Sequence, residues 1–377
     1  MLSFIVKRLL QVIPLLLVIM TLTFFVMRLA PGNPFASERQ LSAVIQQNLN
    51  RRFGLDRPIF YLSVQESWTQ FDPDGNVEYV NRSIFRPFDP PETRSFALVR
   101  WNGFDNQYNS YFFGRYVADD TTKARNWEWG VIGGNFGPST RFTDARNVTD
   151  IILAGLPLSL NLGILAYLIA LCVGVPIGIA AAYKQNTSVD YASMASAVLG
   201  LSVPALVLGP VLIVAFSLTF YILPPALMEW IDIGPFSIPN FRFLILPAVT
   251  LSAVYTAYVA RLMRAAMLET LRTDYVRTAR AKGLSERVVV FRHALRGALL
   301  PVVSFTGPAL AFLIGGTIVV ERIFALAGLG QFFLQSANNR DYTLTLGIVF
   351  FVAIMLIVMN LIVDVAYAII DPRIKYS

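Results

Sequence analysis

An all-α polytopic membrane protein with six transmembrane helices, carrying a mixed α/β extracytoplasmic insertion between helices 1 and 2, is predicted by three features of the sequence. Apolar runs reach the roughly 20 residues needed to cross a bilayer and recur along the chain. A polar, aromatic-rich block at 31–150 separates the first run from the rest. A dense basic segment, Arg272 to Pro301, interrupts the later runs and cannot sit in hydrocarbon. The composition agrees, since 55% hydrophobic content with 15% charged is too apolar for a soluble domain. A single cysteine, Cys172, and a single histidine, His293, exclude a disulfide framework and leave zinc or triad chemistry almost nothing to build on. His293 reads as a surface histidine of the basic segment.

The first run, 9–27, follows Lys7 and Arg8 and ends at Arg28. It is expected to be a retained helix, because its apolar core exceeds the ~7–15 residues of a signal peptide and no small-x-small cleavage site follows. APGNP at 30–34 stops it.

Residues 31–150 hold 13 Lys/Arg against 14 Asp/Glu and no spanning run, which predicts an extramembrane domain. Within it, Ser42 to Gln70 is expected to be helical, with Val44, Leu49, Phe53, Ile59 and Leu62 as apolar positions and a break at GLDRP, 54–58. From Phe71 to Tyr116, aromatics among polar residues predict short strands and turns. Those aromatics either form the domain's own core or are exposed for a partner.

Five further charge-poor runs follow at 151–183, 191–228, 243–260, 298–320 and 342–363. Interior Gly and Pro in the first two (Gly174, Pro176, Gly178; Pro204, Gly209, Pro210) predict kinks and close helix packing. Such helices suit a bundle that rearranges and equally one that is static. The short loops on one face hold 14 Lys/Arg against three on the other, which places both termini and the basic loop in the cytoplasm and 31–150 outside. The expected division is 1–30 for the N-terminus and first helix, 31–150 for the external domain, and 151–377 for a five-helix core with a cytoplasmic loop at 264–297. The +7 net charge is concentrated in that loop, so a nucleic-acid surface is not indicated.

In the loop, good helix formers over Thr273–Lys282 followed by Gly283 predict a short helix ended by glycine. A second is expected from Ser285, with Glu286 near its positive end. Val288, Phe291 and Leu295 would give it one apolar face to rest on the membrane or on the bundle, with Arg292 and Arg296 on its flank. The residues alone leave two readings open, a lipid-facing basic loop or a handle gripped by a cytoplasmic partner. Few polar groups lie in the spans. Ser252, Tyr255 and Thr256 share a face of the fourth and are candidates for lining a pathway or for interhelical bonding. Asp364, flanked by Asn360 and Tyr367, is a pathway candidate or an interfacial cap. Glu321 beside Arg322 reads as a local ion pair. No GxxxxGK[ST] phosphate loop is present, so the chain does not bind ATP by that route.

The segment DYVRTARAKGLSERVVVFRHALRGALLP closely resembles the EAA loop of the inner-membrane permease subunits of ABC importers, in the oligopeptide/dipeptide/nickel variant. MLSFIVKRLLQVIPLLLVIMTLTFFVMRLAPGNPF, GLDRP, GGNFG at 133–137, VVERIFALAGLGQ at 319–331, NRDY at 339–342 and VDVAYAIIDPRIKY at 363–376 extend the resemblance over nearly the whole chain except about 72–126. Arg277, Thr278 and Ala279 stand at the positions of the name-giving Glu-Ala-Ala, and Gly283 is the signature glycine. Arg296 stands where many ABC importers have proline, and Ala327 where the family usually has one.

The resemblance implies that Tyr275, Val276, Arg277, Thr278, Ala279, Arg280, Ala281, Lys282 and Gly283 form a coupling helix seated in a groove of an ATP-hydrolysing subunit. It implies no directly bound cofactor, with ATP and Mg used by partner subunits. The partners it implies are a second homologous permease, two cytoplasmic ATPases, an extracytoplasmic peptide-binding protein and membrane lipid, all at a bacterial inner membrane. The expected activity is ATP-driven import of oligopeptides by alternating access. The same class of importer acting on dipeptides, nickel or another small solute is the near alternative, and an ion-coupled secondary transporter with an external domain is the distant one. The latter would favour buried ionisable residues and broken helices in matching halves.

Overall fold

The computed structural model describes residues 2–29, 45, 50, 53, 55, 57–71, 77–83, 96–118, 125–140, 146–225, 230–233, 236–315 and 317–370. In chain order the elements are α1 (Leu2–Leu29), β1 (Leu62–Phe71), β2 (Val77–Ser83), β3 (Phe96–Trp101), α2 (Gln107–Phe112), β4 (Gly114–Ala118), β5 (Arg125–Trp129), α3 (Val148–Tyr183), α4 (Ser188–Ser202) and α5 (Ala205–Leu212). A π-helical stretch, Ile213–Thr219, prolongs α5. There follow β6 (Trp230–Ile233), β7 (Phe236–Pro239), α6 (Phe241–Thr270), α7 (Asp274–Ala281), α8 (Glu286–Val288), a second π stretch at Val289–Ala294, α9 (Leu295–Ala298), α10 (Leu300–Gly315), α11 (Ile318–Ile323), α12 (Leu329–Asn338) and α13 (Tyr342–Ile370).

Among the described residues, five stretches of helix are long and apolar enough to cross a bilayer, and the bent pair α4–α5 makes up to six. The run at 191–228, expected as one span, is instead broken, with Ser188–Ser202 and Ala205–Thr219 meeting at 99°. Proline is the cause. The ring of Pro204 disfavours helical backbone at the preceding residue, and Val203 is accordingly extended, at φ −86° and ψ 112°.

Two compact units partition the chain. One comprises Met1–Ile19, Ile152–Gln335 and Ile348–Ser377; the other comprises Met20–Ile151 and Ser336–Gly347. In the first, Leu158, Leu162 and Tyr167 of α3 pack with Leu244 of α6, Leu313 of α10, and Phe324 and Leu326 beyond α11. Glycines of α3 let the helices meet backbone to backbone. A Cβ at Gly178 would lie 2.6 Å from both the Ala260 carbonyl oxygen and Met263 Cβ, and one at Gly174 would lie 2.8 Å from the Thr256 carbonyl oxygen.

In the second unit, β1 is the centre of an antiparallel sheet of order β2-β1-β3, and β4 pairs antiparallel with β5. The expectation of helix from Ser42 to Gln70 is corrected here, because Leu62–Phe71 is a strand. Its alternation of Leu62, Val64 and Trp68 with polar residues has the period of a strand, and pairing on both sides decides the matter. Most of the rest of that stretch lies outside the described residues.

The short helix α2 starts at Asn106, whose side chain accepts from the Asn109 N–H at 2.7 Å. It sets Tyr108 and Phe112 against the outer part of α1. The Phe24 ring is fully buried 5.4 Å from Tyr108 and 6.3 Å from Phe112, and a 2.8 Å hydrogen bond joins Thr21 Oγ1 and the Tyr108 hydroxyl. These aromatics therefore form a core. Others are exposed, with Trp101, Phe104 and Trp129 at the surface. The core reading therefore holds for Tyr108 and Phe112, while Trp101 and Phe104 stand outside that core. Asp341 fixes the start of α13, accepting from Ser139 Oγ, from Thr343 Oγ1 at 3.0 Å and from the Leu344 N–H at 3.2 Å.

Candidate functional site

The basic loop folds as the sequence predicts at its first helix. α7 begins after Thr273, whose backbone is extended, and ends in a left-handed turn at Gly283, φ +75°. The Gly283 N–H bonds to the Arg280 carbonyl at 2.9 Å and the Leu284 N–H reaches back to the Ala279 carbonyl at 3.4 Å, the pair of bonds that satisfies a helix's last carbonyls when glycine supplies the turn. Only Val276 and Ala279, at i and i+3, are buried. They join a core with Met263, Ala266 and Met267 of α6 and with Val289, Val290, Ala294 and Ala298 of the following segment.

Tyr275, Arg277, Thr278, Ala281, Lys282 and Gly283 are thus left exposed on one short helix held by two apolar anchors. Arg280 is exposed but engaged within the loop. Its Nε donates to Glu286 Oε1 at 2.7 Å and its second terminal nitrogen lies 3.4 Å from Oε2, a clasp across Gly283 that ties α7 to α8. The Tyr275 hydroxyl lies over Gly297, only 3.0 Å from where a Cβ would stand.

In the second loop helix Val288 and Phe291 are exposed and Leu295 is half-buried, while Val289, Val290, Ala294 and Ala298 turn inward. Of the two surroundings expected for the first three, the bundle therefore takes at most Leu295. The π turn at Val289–Ala294 adds about one residue to the turn and sets the inward stripe beside Val288 and Phe291, not on them.

Polar residues of the spans fall into different surroundings. Ser252 is buried and donates to the Val249 carbonyl of its own helix at 2.9 Å. Tyr255 is half-buried with its ring 6.3 Å from Phe305, and Thr256 is half-buried where α6 crosses Gly174. Asp364 is half-buried on α13. Asn360, one turn earlier on that helix, puts its side-chain oxygen 2.8 Å from where a Cβ at Gly307 would stand.

Two polar constellations escaped sequence reasoning. The first pairs Asp190 at the start of α4 with Arg264 near the end of α6. A lone acid in the run 151–228 was the signal, since a buried carboxylate needs a partner. The second overturns the reading of Glu321 as a local pair with Arg322. Glu321 is fully buried and accepts from Ser159 Oγ at 2.9 Å, Thr317 Oγ1 at 2.7 Å and the Gln331 N–H at 2.9 Å. Ser159 Oγ in turn accepts from the Leu329 N–H at 2.8 Å. The carboxylate therefore ties α3, α11 and the start of α12 together. Gly328 lies against it, where any Cβ would stand 2.4 Å from Oε1. Adjacency in sequence is a poor guide here, because Glu321 and Arg322 leave a helix on different sides.

These observations define a multi-pass helical membrane protein with a close-packed, glycine-lined interior and one short, exposed basic helix seated on two apolar anchors. The chain belongs to the family of binding-protein-dependent transport system inner membrane components, whose profile matches residues 174–376. It is 37% identical over 376 residues to the oligopeptide transport system permease protein OppB of Salmonella typhimurium, with 100% of each chain covered. It is 33% identical over 375 residues to the dipeptide transport system permease protein DppB of Bacillus subtilis, covering 100% of this chain and 98% of that one. A solved inward-facing form of the MetNI methionine ABC transporter is 18% identical over 59% of this chain and 96% of that one, with a TM-score of 0.46.

Proposed function

We propose that this chain is one of two permease subunits of an ATP-driven importer of oligopeptides, forming half of the translocation path. Full-length similarity to oligopeptide permeases supports the substrate class, because it extends through the insertion between the first two spans as well as the family core. Charge distribution supports an orientation with both termini and the basic loop in the cytoplasm and residues 31–150 outside. The partners in this reading are a second homologous permease, two ATPase subunits and an extracytoplasmic peptide-binding protein. ATP and Mg belong to the ATPases, and no catalytic residue is assigned to this chain.

The observation that carries the mechanism is the geometry of α7. A short helix with an exposed Tyr/Arg/Thr/Lys face is held by Val276 and Ala279 in the same apolar cluster as α6. A push on that face moves the buried ends of the spans, because packed interiors shift as units. Alternating access then follows when the ATPase pair closes and opens. Ser252, Tyr255, Thr256 and Asp364 remain the polar candidates along the path, with Tyr255, Thr256 and Asp364 the partly accessible ones.

The test is uptake and ATP hydrolysis measured together in the reconstituted complex. Bulky replacement of Gly283 is expected to leave hydrolysis running while peptide uptake falls. Uptake at the wild-type rate with a β-branched residue at 283 counts against coupling through this turn.

A further inference from the structure

A cavity of about 350 Å³ lies away from the loop and from the Glu321 network, at the end of the π stretch that prolongs α5 and at the start of α6. Ser217, Tyr221, Leu223, Asn240, Arg242 and Phe243 line it. Its polar groups are unusual in one respect. Ser217 is 95% buried, yet its hydroxyl has no hydrogen-bond partner, although buried hydroxyls are ordinarily bonded. Arg242 stands exposed beside the same cavity, and no ion pair among the described residues occupies its guanidinium. The cavity also meets the first turn of α6, a 30-residue helix whose positive end faces anions favourably. Asn240 holds that turn in place by accepting from the Arg242 N–H at 3.2 Å.

The opposite wall is fixed as well. Tyr221 adopts φ +55°, a left-handed conformation uncommon for an aromatic residue, and the Ile222 N–H bonds to the Phe216 carbonyl at 2.9 Å. Leu223 and Phe243 give the cavity an apolar side. A hydroxyl donor, a guanidinium and a helix N-terminus together select an oxyanion, and the apolar side selects one carried on an apolar body.

We infer that this cavity binds the anionic headgroup of a membrane lipid, with Arg242 and Ser217 as its donors. The inference does not rest on the importer reading above.

The experiment uses the full chain in its complex, purified in detergent, with native mass spectrometry as the readout. Phosphatidylglycerol is titrated against phosphatidylcholine, and in a second arm trileucine with a free carboxylate is titrated against its C-terminal amide. Wild-type protein is expected to retain phosphatidylglycerol over phosphatidylcholine. R242Q is expected to lower that preference roughly tenfold or more, as loss of a charge-assisted contact does, S217A by a few-fold, and R242K to retain part of it. Preference for phosphatidylglycerol that falls in R242Q and S217A supports the site, whereas preference for free trileucine over its amide with none for phosphatidylglycerol overturns the lipid assignment. R242K and S217A keep the test decisive if R242Q fails to fold. Equal retention of all probes by wild type, or unchanged preferences in S217A and the Arg242 variants, overturns the proposal. Peptide uptake by the complex, measured separately, distinguishes failure of this site from failure of the importer reading.

Discussion

Asp190 and Arg264 form a two-point ion pair in which Nε and one terminal nitrogen each donate to a different carboxylate oxygen at 2.7 Å. The Asn186 N–H adds a third bond to Asp190 at 3.0 Å. The Asp190 side chain is almost wholly buried and Arg264 is partly so. The pair fastens the start of α4 to α6 ten residues before α7 begins, and so keeps the broken third span in step with the helix that leads into the loop. Removing one partner strands the other, whereas removing both does not. R264M is therefore expected to lower the melting temperature of the purified complex more than the double change D190L/R264M. An equal loss in both would show that the pairing contributes nothing beyond packing.

Gly283 has open space around it, with nothing within 4 Å of where a Cβ would stand. Any cost of substitution there comes from the left-handed backbone, about 1–2 kcal/mol for an L-residue and more for a β-branched one. G283A is expected to weaken peptide uptake mildly and G283V severely, with the bundle's melting temperature lowered by only a few degrees in either. A large fall in melting temperature for G283A contradicts this picture of a local turn.

Glu321 is the reverse case, a buried group whose removal leaves others unsatisfied. E321A strands the hydroxyl of Thr317 and the N–H of Gln331, at about 1–3 kcal/mol for each unsatisfied group. E321Q keeps the shape and part of the bonding and is expected to be milder. Urea or thermal unfolding of the detergent-solubilised protein checks the order, and E321Q equal to E321A would remove the hydrogen bonds from the explanation.

A close backbone approach between α3 and α6 occurs at Gly178. Its missing side chain admits the Ala260 carbonyl and Met263 of α6, so G178V forces α3 and α6 apart. Overpacking of this kind costs about 1–3 kcal/mol, and the expected result is a less stable chain recovered in lower yield from membranes. The same change at Gly134, where nothing crowds a Cβ but φ is +80°, is expected to leave the bundle's stability intact.

How far the sequence disclosed all this depends on whether the signal was local. Run length and charge asymmetry are one-dimensional, so the spans and the basic loop were legible, as was the helix ended by Gly283. Pairings across the bundle were not. Nothing in the neighbourhood of Asp190 names Arg264, and nothing beside Glu321 names Ser159. The break at Val203–Pro204 was visible as a proline, but its 99° angle comes from how the two halves pack. Likewise, Leu62–Phe71 is decided as a strand by its paired neighbours, and the π turn at Val289–Ala294, which turns Val289 and Val290 inward, has no mark that regular helical spacing could read.

The central claim is that the exposed face of α7 is where an ATP-hydrolysing partner grips this chain. Cysteine cross-linking tests it most directly, because the natural sequence has only Cys172 to remove. In a C172S background, T278C on the exposed face of α7 is expected to form an oxidative cross-link to a cysteine placed on the ATPase subunit of the reconstituted complex, with a yield that changes on addition of ATP. A cysteine at Phe220, beyond the π stretch of α5, serves as the distant control. Cross-linking at Thr278 and none at Phe220 is the predicted result; an active complex in which Thr278 never cross-links to the ATPase would contradict the account.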